Sequence, residues 1–314
     1  MCIPQNRFFK FFGYKSRWLF ALFSYSALCG SVNEPIRWEW QTGYRNDIFH
    51  WHLKQFSAPE KTVYSERFRD LQFWVNSLTV RAIHRDIAIF ARCSYGALGK
   101  GELKQKYSSL SFAQDPIIFH SKPSSWNFDS WGFLGYAVDL TAGRNYHVIL
   151  VPLIGYGLNA ELMHGNGPHD SKSESVLFSS ELLSEERTSW FGPLFGSQVI
   201  IQPGGSLQFE AGYAYHRLHL RFRSKNRIEA TSEERQVEKI HVKDRANLAH
   251  SGWARIDYTF FDVWRIGLEG GINYFSSRIL DAAVKNETTL MRSPQKFKAR
   301  WAAVSGTFIL SRFF

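Results

Sequence analysis

Several features are scarce or missing in this 314-residue chain, and each one excludes a class of protein. The three cysteines are too few for a scaffold held together by disulfides. Beyond the N-terminal region, no stretch approaches the ~18 uninterrupted apolar residues that would indicate a membrane-spanning helix. The sequence also has neither a glycine-rich phosphate-binding loop nor a Cys/His cluster with metal-ligand spacing, so we expect no metal and no cofactor.

Aromatic residues, by contrast, are abundant, with 27 Phe, 13 Tyr and 11 Trp. The mean hydropathy is nevertheless −0.27, so the aromatic side chains must lie either in a core or at a half-wet position. The net charge is +10, from 38 basic and 28 acidic residues. Part of this excess lies in the first residues of the chain, and the remainder is too small to indicate a nucleic-acid partner.

The first 31 residues have the pattern of a secretory signal peptide. Four basic residues and no acidic residue precede an apolar run: Arg7, Lys10, Lys15 and Arg17. The run itself, Trp18 to Leu28, is shorter than the ~20 residues that a membrane-spanning helix needs. The small residues Cys29 and Ser31 then suit the −3 and −1 positions of a cleavage site. We therefore expect a signal peptide over 1–31 and the mature protein over 32–314.

The rest of the chain alternates between apolar and polar residues with a period of two. In the clearest case, Trp264 to Tyr274, every second residue is apolar or glycine. Successive side chains of a strand point to opposite faces, so this pattern predicts strands with one apolar face. Ten strands are predicted, at 36–49, 66–83, 87–98, 126–139, 146–160, 189–201, 207–223, 247–260, 264–279 and 297–314.

The predicted connections alternate between short turns and long polar stretches. The long ones are near 54–65, 99–125, 161–188, 224–246 and 280–296. An even number of strands, short periplasmic turns and long outer loops are typical of an outer-membrane barrel. The sequence therefore predicts an all-β fold, a transmembrane antiparallel β-barrel of about ten strands. The terminal Phe314 fits the C-terminal assembly signal that the barrel-assembly machinery reads.

A barrel of this kind assigns places to the aromatic and charged residues of the strands. Aromatic rings near strand ends suit the membrane interface: Trp38, Trp40, Trp126, Trp190 and Trp264. Polar residues within the spans are expected to line the lumen, because a charge on the lipid face costs ~2–4 kcal/mol at mid-bilayer: Arg92, Arg255, Asp257, Arg265, Glu269 and Asn273. These residues either line a water-filled passage for small solutes or pair with one another and plug the barrel.

Other polar residues lie near the predicted loop ends. Four basic side chains cluster at the outer end of the seventh strand and could bind lipopolysaccharide phosphates, or form a solvated loop base: Arg217, Arg221, Arg223 and Lys225. His50 and His52 share one face of a strand, but no third ligand lies nearby. His216 and His219 are three residues apart, and a switch in the apolar phase between Tyr215 and Leu218 suggests a bulge there.

Several segments resemble known outer-membrane barrels. They are WEWQTGYRNDIFHWHL from Trp38, LQFWVNSLTVRAIHRDIAIFARCSYGALGKG from Leu71, SWFGPLFGS from Ser189, and the ending VSGTFILSRFF. The sequence resembles the Protochlamydia outer membrane protein family, the porin-like proteins of chlamydia-like symbionts. It is more remotely similar to the omptins, the ten-stranded outer-membrane proteases. A phase break at residues 75–78 resembles one in the second omptin strand.

The resemblance to omptins does not extend to their catalytic residues. Omptins place an Asp-x-Asp pair beyond the third strand, where this chain has Glu102 as its only carboxylate between Gly99 and Leu110. Their Asp-x-His pair also has no counterpart in RSKNRIEATSEERQ, which starts at Arg223. A water-activating site needs a group poised to take a proton, so we expect no enzyme activity.

The porin-like family implies passive diffusion of small hydrophilic solutes across the outer membrane of a Gram-negative cell. Two alternatives remain at this stage. One is a non-conducting surface barrel, either an adhesin or a structural envelope protein. The other is an omptin-like barrel enzyme that has lost the usual catalytic residues. The expected partners are outer-membrane lipid, lipopolysaccharide and the assembly machinery, with the oligomeric state left open.

Overall fold

The computed structural model describes ten parts of the chain: residues 32, 34–55, 63–108, 117–141, 144–166, 183–229, 235–261, 263–279, 283–286 and 295–314. The expected signal peptide, 1–31, lies outside these described residues. No helix in the described parts is long and apolar enough to cross a membrane. The regular secondary structure described is entirely β-strand.

Ten long strands and two short ones make up the fold. The long strands are β1 Glu34–Gln55, β2 Val63–His84, β3 Ile87–Ser108, β4 Ile117–Tyr136, β6 His147–Asn166, β7 Leu183–Gln202, β8 Leu207–Glu229, β9 Arg235–Phe260, β10 Trp264–Ile279 and β12 Gln295–Phe313. The short strands are β5 Val138–Asp139 and β11 Ala283–Asn286. β5 pairs with β6, and β11 pairs with β9.

The long strands form a closed antiparallel barrel. Each pairs with its neighbours in chain order, and β12 joins β1 to β10 and closes the circle. At this seam, Trp40 lies opposite Leu310 of β12 and Leu78 of β2. Closure pairs the backbone groups of every long strand, as a strand in lipid requires. The prediction of a ten-stranded all-β barrel is confirmed.

The barrel has two different ends, which we call the turn end and the loop end. Strands at the turn end join through tight hairpins, such as Arg85-Asp86, where φ is +47° and +69°. These positive φ values are those of a type I′ turn, whose twist matches that of the flanking strands. Gly204 and Gly205 (φ +101° and +72°) make the corresponding turn between β7 and β8. At the loop end the strands are longer than predicted, and β9 begins at Arg235 rather than 247.

The outer surface of the barrel carries an apolar belt next to the turn end. Exposed large apolar side chains from all ten long strands form it, and examples are Trp38, Tyr44, Leu78, Ile89, Tyr95, Leu134, Ile154, Tyr156, Phe195, Phe209, Ile256, Leu268, Ile272, Val304 and Phe308. Nearer the loop end the outward residues become basic. We call this second zone the basic outer wall, formed by Arg67, Lys104, Arg217, Arg221, Arg223, Lys243 and Arg300.

The interior has the opposite arrangement, which strand β1 shows most simply. Near the turn end its inward residues are Arg37, Glu39 and Gln41, all buried. Near the loop end the inward residues are apolar and buried, among them Phe49 and Trp51. The strand therefore leaves an environment of lipid outside and polar groups inside. It enters one of water outside and an apolar core inside.

This inversion explains two breaks in the apolar pattern of the sequence and corrects the bulge predicted in β8. In β2, buried and exposed residues alternate without interruption through residues 75–78, so the phase break seen in the sequence is a change of face by the apolar residues, from inward Val75 to outward Leu78, on a regular backbone. The irregularity is at Arg69–Gln72, where Asp70 has φ +50°. In β8 the alternation also continues through 216–219, and the register shift there places the extra residue on β9. In both strands the apolar residues change face because the surroundings change.

Candidate functional site

The barrel interior at the turn end is filled by paired charges, which we call the turn-end network. Its members come from strands β1, β2, β8, β9 and β10: Arg37, Glu39, Arg81, Glu210, Arg255, Asp257 and Arg265. Glu39 Oε2 accepts a hydrogen bond from Arg255 Nη1 at 2.7 Å, and Arg255 Nε also donates to Asp257 Oδ2 at 2.7 Å. Arg81 Nη1 donates to Glu210 Oε2 at 2.7 Å on the other side.

The remaining contacts of the network are ion pairs. Arg37 Nε lies 2.7 Å from Glu39 Oε1, although without the alignment of a hydrogen bond. Arg265 Nη1 lies 3.7 Å from Asp257 Oδ2. Four arginines thus face three carboxylates, so the network has one surplus positive charge. Pairing offsets the cost of burying these charges, and the pairs connect side chains from five strands.

A cavity in the barrel interior, the lumen cavity, lies on the loop-end side of the turn-end network. The volume available to the centre of a water-sized sphere is about 120 Å³. Since one water needs roughly 10–15 Å³ by this measure, the cavity has room for several waters. Arg92 Nη1 donates to Glu269 Oε1 at 2.6 Å across its wall. Buried polar atoms without a hydrogen-bond partner in the protein also line it: Gln41 Oε1, Arg45 Nη2, Thr79 Oγ1, Asn159 Oδ1 and Arg255 Nη2.

Aromatic side chains close the interior between the lumen cavity and the loop end. We call this group the outer core: Phe49, Trp51, Phe68, Phe73, Trp190, Phe222, Phe275, Phe297 and Trp301. Phe275 and Trp301 stack with ring centroids 4.6 Å apart. Two indole N–H groups of the outer core donate hydrogen bonds to carboxylates. Trp51 Nε1 donates to Glu186 Oε1 at 2.8 Å, and Trp301 Nε1 donates to Asp47 Oδ2 at 3.0 Å.

The structure places all six lumen-lining candidates on the inner face. Arg255, Asp257 and Arg265 belong to the turn-end network, whereas Arg92, Glu269 and Asn273 line the lumen cavity. Sequence reasoning missed four network residues: Arg37, Glu39, Arg81 and Glu210. The signal for Arg37 and Glu39 was present, because they alternate with the lipid-facing Trp38 and Trp40.

The interface prediction for the tryptophans is wrong at one position. Trp38, Trp40 and Trp126 face outward and are exposed, and Trp264 is half-buried with Arg312 over its ring. Trp190 is only 1% exposed and packs in the outer core, 5.6 Å from Phe275. The prediction failed because β7 begins at Leu183 instead of 189, so Trp190 lies in the loop-end half, where the interior is apolar.

The basic candidates of β8 all point outward. Arg217, Arg221 and Arg223 are exposed, Lys225 is half-buried, and Arg221 lies over the Phe191 ring at 4.8 Å. Neighbouring strands extend this cluster into the basic outer wall. The guanidinium and ammonium groups lie next to the apolar belt, on its loop-end side.

The histidines and Glu102 do not converge on a site. His50 and His52 point outward with ring centroids 5.8 Å apart. His216 faces the lumen cavity, where Ser251 Oγ lies 2.8 Å from its Nε2, while His219 points outward against Phe191. Glu102 is exposed on the outer face of β3. In the parts of the chain that the structure describes, no three His, Cys, Asp or Glu side chains are grouped to hold a metal.

Polar contacts also order the turn end of β6. Asp139 Oδ1 accepts hydrogen bonds from Thr141 N at 2.9 Å and Thr141 Oγ1 at 3.0 Å. Asp139 Oδ2 lies 2.7 Å from His147 Nδ1. Burial by itself would raise the pKa of the Asp139 carboxyl, but the hydrogen bonds from Thr141 and His147 outweigh it and hold the pKa below its usual range.

The C-terminal residue lies at the barrel seam. Phe314 N donates to the carbonyl of Ile36 at 3.0 Å, so the last residue continues the pairing between β12 and β1. Its ring is exposed, and the Arg312 guanidinium lies 5.1 Å from the ring centroid. The terminal aromatic ring is therefore presented outside the barrel beside its closing strand pair.

Solved structures with a similar fold are outer-membrane proteins. The outer membrane protease OmpT from Escherichia coli has a TM-score of 0.63 at 11% identity, covering 91% of this chain and 98% of that one. This likeness shows the fold alone. A deletion mutant of TodX, a monoaromatic hydrocarbon channel, has a TM-score of 0.32 at 12% identity and 94% coverage of each chain, too low to bear on the function.

The sequence comparisons identify the family. No curated protein sequence matches this chain. The family model described as "Protochlamydia outer membrane protein" matches residues 39–314, which takes in all ten long strands except the first few residues of β1. This range includes the turn-end network from Glu39 onward, the lumen cavity and the outer core. The chain is an outer-membrane β-barrel and belongs to the Protochlamydia outer membrane protein family.

Proposed function

We propose that this protein is a non-conducting surface barrel that holds its loops and its basic outer wall above the outer membrane. The observation that carries this proposal is the filled interior. A solute crossing the barrel would have to pass both the turn-end network and the outer core. A barrel of eight strands is just filled by side chains, whereas sixteen strands leave a channel, and ten lies nearer the filled limit.

The turn-end network and the outer core form two closures of the barrel, which differ in chemistry and act independently. Opening the turn-end network would separate ion pairs such as Arg255–Glu39, whose side chains are 1% and 0% exposed. Opening the outer core would expose stacked rings such as those of Phe275 and Trp301 to water. Because each change is costly on its own, the closed state is favoured.

Planar-bilayer recording of the purified protein tests this proposal. We expect no stepwise conductance under conditions in which a sixteen-stranded porin, reconstituted in the same way, conducts. Regular steps from the wild-type protein would overturn the proposal. A variant with smaller side chains in both closures, Glu39→Ala with Trp301→Ala, should conduct if it folds, because within the described parts of the chain these two layers separate the lumen cavity from the two ends.

Porin-like diffusion, which the sequence favoured, is the second candidate function. The lumen cavity supports it, because its lining includes polar groups such as Arg92, Glu269 and Asn273. A diffusion pore would require both closures to open transiently. Swelling of proteoliposomes in isotonic solutions of small sugars distinguishes the two functions, since only a pore admits the solute.

We further propose that the basic outer wall binds lipopolysaccharide phosphates, with Arg217, Arg221 and Arg223 as the main donors. Arginine binds phosphate through paired charge-assisted hydrogen bonds, and three arginines on the outer face of one strand suit a multiply phosphorylated headgroup. Added lipopolysaccharide should raise the melting temperature of the wild-type protein. The effect should fall in the triple Arg→Gln variant but persist in Arg144→Gln, a control at the turn end.

The proposed role is non-enzymatic. At the loop end, the carboxyl groups of Glu66 and Glu186 are buried, and Glu186 Oε1 accepts a hydrogen bond from Trp51 of the outer core. Glu102 points away from the lumen. These placements support a barrel that binds through its surface, and incubation with peptide substrates of omptins should give no cleavage.

A further inference from the structure

Three contacts hold Val32, the residue that follows the expected cleavage site, at the turn end. Its backbone N–H donates to Asp86 Oδ1 at 2.5 Å. Its carbonyl oxygen accepts a hydrogen bond from Asp86 N at 3.1 Å. Its side chain packs against the buried apolar cluster that includes Ile83 and Ala137.

Asp86 belongs to the hairpin between β2 and β3, and its carboxylate contacts the N-terminal residue Val32 from there. Arg85 and Asp86 form the type I′ turn between β2 and β3. Aspartate is among the few residues that tolerate positive φ, so the turn can present a carboxylate at this place without severe strain. The carboxylate is therefore positioned to bind a cation at the place of Val32 N.

We propose that the Ser31–Val32 peptide bond is the processing site, and that the α-ammonium group released on Val32 forms an ion pair with Asp86. The reaction is hydrolysis by the endopeptidase that removes export signals. Water supplies hydroxide to the Ser31 carbonyl carbon as the C–N bond breaks, and the Val32 nitrogen takes the proton. At neutral pH the products are a carboxylate on the released leader and an ammonium group on the mature chain.

The ammonium group would strengthen the contact that the amide already makes. An α-amino group has an ordinary pKa of about 7.7–8.0, so it is largely charged at pH 7. It brings three N–H donors and a positive charge to a carboxylate that receives one neutral N–H from the unprocessed chain. Hydrogen bonds between charged partners are roughly twice as strong as neutral ones.

Processing would thereby tie down the strand that closes the barrel. β1 starts two residues after Val32 and pairs with β12, where Arg37 lies opposite Phe313. The backbone of Phe314 also bonds to Ile36 at this corner. The ion pair would anchor the first residue of the mature chain to the β2–β3 hairpin, beside the seam formed by the first and last strands.

Two measurements on protein purified from outer membranes test this proposal. The intact mass should correspond to residues 32–314, and a mature chain with any other first residue would overturn it. The second measurement is the rate at which an amine-reactive ester labels the mature N-terminus near pH 7. Asp86→Asn keeps the size and the acceptor oxygen and removes only the charge, so labelling should become up to about fivefold faster, the limit expected for a partly exposed ion pair.

Asp139→Asn, at a carboxylate in a different turn-end connection, provides the matched control. It should label at the wild-type rate. The difference caused by Asp86→Asn should also shrink at 1 M salt, where charges are screened within about 3 Å. The ion pair is refuted if wild type and Asp86→Asn are labelled at equal rates at low salt. Both proteins must be folded in this comparison, as shown by a shift in gel mobility on heating.

Discussion

The surplus charge of the turn-end network predicts that its carboxylates and arginines respond unequally to substitution. Glu39 Oε1 and Oε2 lie 2.7 Å from Arg37 Nε and Arg255 Nη1, and Arg81 Nη1 is 3.9 Å away. The variant Glu39→Gln keeps the shape of the side chain but leaves four buried arginines with two carboxylates. Removing one partner from a buried ion pair costs about 3–5 kcal/mol, and we expect a loss of this size in the free energy of unfolding.

The opposite change should be milder. Arg37→Met removes one of four cations and leaves three charges of each sign, and Glu39 keeps its 2.7 Å hydrogen bond from Arg255. Loss of a hydrogen bond or ion pair to a charged group costs about 1–3 kcal/mol, and the methionine restores some apolar packing. The double variant Glu39→Gln/Arg37→Met has the native surplus of one charge. It should therefore cost less than the sum of the two single variants by about 1–3 kcal/mol.

Urea unfolding in lipid vesicles, followed by tryptophan fluorescence, measures these differences if the slopes of the transitions stay equal. Ser311→Ala is the control, because this buried inner residue is uncharged and its hydroxyl has no hydrogen-bond partner in the protein. Its change should stay below about 1 kcal/mol. If Arg37→Met proves as costly as Glu39→Gln, or if the two losses simply add, the charge count does not govern the stability of the network.

Three further predictions concern the seam, the outer core and the turn end. A Cβ on Gly43 would lie 2.1 Å from a backbone oxygen of β12, whereas one on Gly306 meets no atom within 4 Å. Gly43→Ala, but not Gly306→Ala, should therefore reduce the fraction of protein that keeps its folded gel mobility after heating. Trp301→Ala should lower the free energy of unfolding by about 3–5 kcal/mol, and the same change at lipid-facing Trp126 by clearly less, in vesicle unfolding assays. Because the pKa of Asp139 is lowered in the folded protein, wild type should be more stable than Asp139→Asn above the ordinary carboxyl pKa of about 4. That advantage should vanish in melting curves as the pH falls through the lowered value; an advantage independent of pH would contradict this assignment.

The sequence was sufficient to predict the strands that face lipid. In that half of the barrel the alternation is strong, because the outward residues are large and apolar and the inward residues are charged or small. Trp38 and Trp40 around Glu39 make the pattern unambiguous. The ten strands and their antiparallel order followed from this alternation and from the lengths of the connections.

The loop-end halves of the strands were harder to predict, for a physical reason. Their outward residues are polar because they face water, so segments such as the start of β9 were interpreted as loops. Trp190 was assigned to the interface for the same reason, since the strand was expected to begin beside it. An interpretation of the pattern that assumes a single environment along the whole strand ends the strand where the environment changes.

The partners in the turn-end network could not be predicted, because they come from distant parts of the chain. Arg255 and Glu39, for example, are 216 residues apart. The alternation assigns each side chain to the inner face, but the pairing depends on strand tilt and register around the whole barrel. Sequence reasoning therefore identified Arg255 and Asp257 as inner residues without identifying the carboxylate that joins them to β1.

The inversion of the two faces also bears on why a ten-stranded barrel has strands of 16–26 residues. A span of about 10 residues suffices to cross the lipid. The rest of each strand builds the loop-end half of the barrel, around the outer core. Such a core stabilises the fold through burial, which contributes about 25 cal/mol for each Å² of apolar surface. The long strands therefore fit the proposed non-conducting barrel, because a wide lumen would require giving up the outer core.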